Sequence, residues 1–90
     1  MITSGQLRAA RALLGIDQRA LAALVGVSLP TVQRMESSGG IVRGNVDTLT
    51  KIVNGLREAG VELIGDNVPS SGGGRGVRLI MPGGRRNADL

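Results

Sequence analysis

Ten of the eleven cationic side chains in this 90-residue chain are arginines, and against seven carboxylates they leave a formal net charge of +4. A guanidinium offers forked donors that match phosphate oxygens and guanine edges, whereas a lysine ammonium is a point charge. GC-rich coding bias enriches Arg, Gly and Ala as well, so composition points toward nucleic acid without deciding it. Histidine and cysteine are both absent, which removes disulfides, thiolate nucleophiles, imidazole bases and nearly every zinc or haem site. The carboxylates Asp17, Asp47, Glu58 and Glu62 are scattered at helix starts or on exposed faces, where they suit capping and dipole complementarity rather than paired acid–base work. Gly72-Gly-Gly-Arg-Gly76 is not closed by Lys-Ser or Lys-Thr and leads into a strand pattern, so it reads as a flexible loop, not a phosphate cradle. No catalytic group, metal site or cofactor site is therefore expected, and the chain is read as a non-enzyme.

The cations must be positioned by a small fold. Ninety residues bound one domain, and a chain 41% hydrophobic with no aromatic residue must build its core from Leu, Ile, Val, Ala and Met. No run of about 18 apolar residues exists, and Met1 to Ser4 lacks the layout of a signal peptide. A cytoplasmic protein with no membrane partner is expected. Thr3 with Gln6 forms a capping-box pattern ahead of Leu7, Ala10 and Leu14, and Gly15 stops this first helix, over residues 4–14. Asp17 caps a second helix over 18–25, with Ala20, Leu21, Leu24 and Val25 as its apolar stripe and Gly26 as its end. Three residues, Gly26-Val27-Ser28, separate it from a third helix over 29–37, with Ser28 as N-cap and Pro30 in the first turn. A loop from Ser38 to Gly44 precedes a fourth helix, capped by Asn45, carrying Val46, Leu49, Ile52, Val53 and Leu56 and ending at Gly60. Gly55 inside that helix costs about 1 kcal/mol relative to Ala, so either another backbone approaches closely there or the helix is locally loose. Beyond it the period changes to 2, giving two short strands around Val61 to Ile64 and Val77 to Met81.

Two helices joined by three residues with Gly in the turn have helix-turn-helix spacing, because Gly26 takes positive φ at little cost and lets the third helix cross the second steeply. On a 3.6-residue wheel Val32 and Met35 share one face of the third helix. Pro30, Gln33, Arg34 and Ser37 lie opposite, with Leu29 on the shoulder. The first face is expected to pack on Leu21, Val25 and the fourth helix's stripe, and the second is a plausible major-groove surface. Arg8 and Arg11 read as a solvated helix face rather than as a phosphate-facing stripe, while Arg19 and Arg43 are the better phosphate candidates.

The run Gln18-Arg-Ala-Leu-Ala-Ala-Leu-Val-Gly-Val-Ser28, followed by Thr31-Val32, Met35-Glu36 and Leu49, Ile52 and Leu56, resembles the Cro and lambda-repressor-like (xenobiotic-response-element type) helix-turn-helix regulators over residues 4–60. The resemblance implies a mainly α fold: a four-helix lambda-repressor-like domain over 1–60, followed here by a C-terminal strand pair over 61–81 and a disordered tail over 82–90. It implies double-stranded DNA as partner. Gln18 then contacts phosphate, Leu29, Pro30, Gln33 and Arg34 read bases, and Arg43 and Asn45 touch the sugar-phosphate backbone. Ser28, Thr31 and Ser37 join Arg19 among the phosphate contacts. Glu36 resembles a structural position. Leu29-Pro30 departs from the polar residues many relatives carry, leaving apolar contact with a thymine methyl as their readout.

The expected function is a sequence-specific transcriptional regulator, a homodimer on an inverted repeat controlling its own or an adjacent operon, with no small-molecule effector evident. An antitoxin or anti-activator masking a protein partner with the same fold is the alternative, and a nonspecific nucleoid-type binder is a third. Val61, Leu63, Ile64, Val77, Leu79 and Ile80 are the expected dimerisation residues, because a lone two-stranded hairpin with apolar residues on both faces is marginal. Glu62 and Arg78 are expected to pair across the strands, within or between chains.

Overall fold

The computed structural model describes residues 2–65 and 75–80. The expected tail over 82–90, Met81 and residues 66–74 of the inter-strand segment lie outside the described residues. Helix α1 spans Ser4–Leu14, α2 Gln18–Val25, α3 Leu29–Ser37 and α4 Val46–Glu58. Strands β1 (Val61–Ile64) and β2 (Gly76–Leu79) form an antiparallel pair. The fold is mainly helical, as expected. Each helix starts where a side-chain oxygen can accept an otherwise orphan N–H: Thr3 from Gln6, Asp17 from Ala20, Ser28 from Thr31, and Asn45 from Thr48. Helix α4 ends two residues before Gly60, which carries a φ of 100°.

The core is aliphatic throughout. Leu7 and Ala10 of α1, Leu21 and Val25 of α2, Val32 and Met35 of α3, Ile52 and Leu56 of α4, and Val61 of β1 are all buried. Helix α3 packs mainly on α2 and α1, and its Met35 shares one core cluster with Ile52 and Leu56 of α4. Val42, in the loop before α4, is buried in the same core, and that loop is stitched to the chain start. Thr3 bridges Ile41, Ser4 donates its N–H to the Gly40 carbonyl at 2.8 Å, and Val42 donates to that of Ile2 at 2.8 Å.

Gln6 joins the helical part to the hairpin. Its Oε1 accepts the Thr3 N–H at 2.9 Å, closing the capping box, while its Nε2 donates to the carbonyls of Ile64 at 3.0 Å and Gly76 at 2.9 Å. The side chain is buried and fully satisfied, so Gln6→Ala loses both functions at once. It is expected to destabilise the fold by about 1–3 kcal/mol, read as a lower urea midpoint; a midpoint within error of wild type would show that the amide does not tie the hairpin down.

Candidate nucleic-acid interface

The turn between α2 and α3 is tight because Gly26 is left-handed, at φ 78°, with its N–H and that of Val27 both closing on the Ala22 carbonyl at 3.0 and 3.1 Å. Ser28 then caps α3: its Oγ accepts the Thr31 N–H at 3.2 Å and lies 2.8 Å from the Thr31 hydroxyl. This local geometry turns Val32, Met35 and Glu36 inward and leaves Pro30, Gln33, Arg34 and Ser37 exposed. Leu29 is half-buried against the core, so only part of it faces outward.

Arg34 Nη1 lies 3.4 Å from the Arg43 carbonyl, which brings a base-reading candidate and a backbone-contact candidate into one cluster. Arg43 and Asn45 are exposed, and the Asn45 Oδ1 accepts the Thr48 N–H at 2.8 Å, leaving its amide N–H groups open. Arg19 is exposed. Ser37 Oγ donates to the Arg34 carbonyl at 3.1 Å, and the Thr31 hydroxyl, half-buried, is engaged with Ser28. The Ser37 hydroxyl hydrogen is therefore engaged locally, whereas only one of Ser28 and Thr31 donates within their pair and the other keeps its hydrogen for an outside acceptor. Gln18 is half-buried, and one of its Nε2 hydrogens is held by Glu36 Oε1 at 3.0 Å.

One carboxylate organises this surface. Glu36, 4% exposed at the end of α3, accepts from Arg11 Nε and Nη2, both at 2.8 Å, and from Gln18, while Arg8 donates to the Glu36 carbonyl oxygen. Burial pushes the Glu36 carboxyl up. The hydrogen bonds from Arg11 and Gln18 and the charges of Arg11 and Arg8 outweigh it, and the net shift is below the ordinary glutamate range. Arg11 is raised in turn, chiefly by its hydrogen bond to Glu36. The reading of Arg8 and Arg11 as a solvated face is thus corrected: they fasten α1 to the C-terminal end of α3, with α2 joined through Gln18. Their signal was Glu36 itself, four residues after the inward Val32, because a carboxylate on a core-facing stripe needs a cation.

Among the described residues no side-chain cluster could hold a metal ion and no helix is long and apolar enough to cross a membrane. The model of the Cro/C1-type helix-turn-helix family matches residues 7–57, more than half of the chain. The chain belongs to that family. The match runs from α1 almost to the end of α4 and includes the α2–turn–α3 unit. It makes the protein a DNA-binding helix-turn-helix regulator of a family that is regulatory, not enzymatic. No curated protein matches the chain.

Proposed function

We propose that two copies of this regulator bind an inverted repeat, each laying α3 in the major groove, and control the protein's own or an adjacent operon. The supporting observation is the outward pair Gln33 and Arg34 on a helix whose roll is held by the Glu36 clamp and whose Arg34 touches the Arg43 loop. In this reading Gln33 and Arg34 carry most direct base discrimination, Leu29 and Pro30 make apolar contacts in the first turn, and Gln18, Arg19, Ser28, Thr31, Ser37, Arg43 and Asn45 meet the backbone. A short helix with few base contacts favours two half-sites about one helical turn apart.

A gel shift of the protein's own upstream DNA against random competitor tests the sequence preference. Arg34→Ala is expected to weaken cognate binding by about 1–3 kcal/mol and flatten preference at one operator position; an unchanged ratio of cognate to scrambled affinity would remove Arg34 from base reading. Arg43→Ala is expected to weaken all duplexes similarly and reduce the salt slope by about 1. A loss confined to the cognate operator with the slope unaltered would instead place Arg43 at a base edge.

The protein-masking alternative draws on one observation. An apolar groove of about 520 Å³ lies between α1, α2 and the end of α4, lined by Leu14, Ile16, Ala20, Ala23, Leu24 and Ala59. Stoichiometric copurification of a second protein, lost on Ala23→Arg, would favour it.

A further inference from the structure

Arg43, the backbone-contact candidate of the α3–α4 loop, is not held in place by its own neighbours in sequence. Three of the seven residues over 38–44 are glycine, and glycine gives up more conformational freedom on ordering than any other residue. The loop is fixed from outside. Residues 2–4, extended through Thr3 at φ -103° and ψ 159°, run antiparallel to residues 40–42. The Ser4 N–H donates to the Gly40 carbonyl and the Val42 N–H to that of Ile2, both at 2.8 Å, on either side of the Thr3–Ile41 bridge. Ile2 and Val42 are buried. Apolar burial is non-directional, so it keeps the two segments together without setting their register; the hydrogen bonds do that. Gln6 extends this chain of bonds to the hairpin, because its one amide accepts from the Thr3 N–H and donates to the carbonyls of both members of the Ile64–Gly76 pair. At the other end the Arg43 carbonyl lies 3.4 Å from Arg34 Nη1.

We infer that Gln6 is a positioning residue for DNA binding: it fixes the segment before α1 to the hairpin, and that segment holds residues 40–42 so that Arg43 is already placed where it meets the DNA backbone. The inference rests on the reading of Arg43 given above. It adds to that reading a residue which, at 4% exposure, is itself shut away from DNA. Without the Gln6 amide the Thr3 N–H has no acceptor in the capping box, residues 2–4 lose their link to β1 and β2, and the glycine-rich loop is ordered only when DNA binds. The cost of that ordering is then taken from the binding free energy. In this arrangement the strand pair braces a loop of the DNA-binding surface although neither strand belongs to the helix-turn-helix unit.

Affinities of the full chain for cognate and random duplexes test this in a double-mutant cycle. Gln6→Met keeps the length of the side chain but offers no amide. It is expected to weaken binding to both duplexes by about 5-fold, under conditions where its helical circular dichroism matches that of wild type. In an Arg43→Ala background the same change is expected to cost less than about 2-fold, because the contact it prepares is gone, whereas in an Arg19→Ala background, on α2, it costs the full factor. Losses that multiply in both backgrounds make Gln6 a stabilising residue only and overturn the inference with the DNA-binding reading intact. An Arg43→Ala chain that binds as tightly as wild type removes the backbone contact itself, and the inference with it. If Gln6→Met does not fold, hydrogen exchange of the wild-type chain decides: the Thr3 and Val42 amides are expected to slow together on duplex binding, and a slowing confined to Val42 overturns the link through Gln6.

Discussion

Glu36→Ala is expected to destabilise the folded domain by about 2–3 kcal/mol, toward the lower end of what breaking a buried ion pair costs. The carboxylate is almost fully buried, but Arg11 keeps a quarter of its side chain in water, at 24% exposure, and so regains some hydration when its partner is removed. Two functions are lost together: the fastening of α1 to α3, and the hydrogen bond that holds Gln18. Specific DNA affinity should fall with stability, because α3 loses the contact that sets its roll. The same carboxylate gives a pH signature. Its folded-state pKa is depressed, so its contribution is fully present above the unfolded glutamate value and is lost as pH falls below that value and through the folded one. Urea unfolding of wild type and Glu36→Gln at neutral and acid pH checks this: the gap between them should narrow toward acid. A gap that stayed constant down to pH 3 would mean the ion pair contributes no pH-linked stability.

Gly55→Ala is expected to go against helix propensity. In an exposed helix interior the change gains about 1 kcal/mol. Here a Cβ at position 55 would stand 2.9 Å from the Val25 Cα, 3.0 Å from its Cγ1 and 3.1 Å from the Leu24 carbonyl oxygen. Two of those three atoms are backbone, which cannot rotate aside, so α4 and α2 must move apart. Overpacking of this kind costs about 1–3 kcal/mol, and the movement would reach the α2–α3 unit that presents Gln33 and Arg34. A melting midpoint lowered by several degrees is the expected result. A raised midpoint would show that the two helices can separate freely and that Gly55 is merely tolerated.

These two residues also mark where sequence reasoning ran out. Gly55 left two explanations open, close approach or local looseness, and the proximity of Val25 decides for the first. Arg8 and Arg11 have a spacing that looks the same whether the helix face meets water or a carboxylate. Glu62 and Arg78 were expected to pair, and the register shows that they do so within one chain. The inward commitment of Val61 was not legible either, since alternation says that two faces exist and not which one a helix covers.

What the sequence determined by itself were features whose energetics lie within about four residues: the caps Thr3, Asp17, Ser28 and Asn45, the left-handed turn at Gly26, the apolar stripes, and through them the helix-turn-helix spacing over the family match. What only the tertiary structure decided were contacts made far along the chain. Arg11 meets Glu36 across 25 residues, and Gln6 meets Ile64 across 58 and Gly76 across 70. Local propensity is silent on such pairs, because their free energy is realised only after the core of Leu7, Leu21, Met35 and Leu56 has closed and removed the competing water.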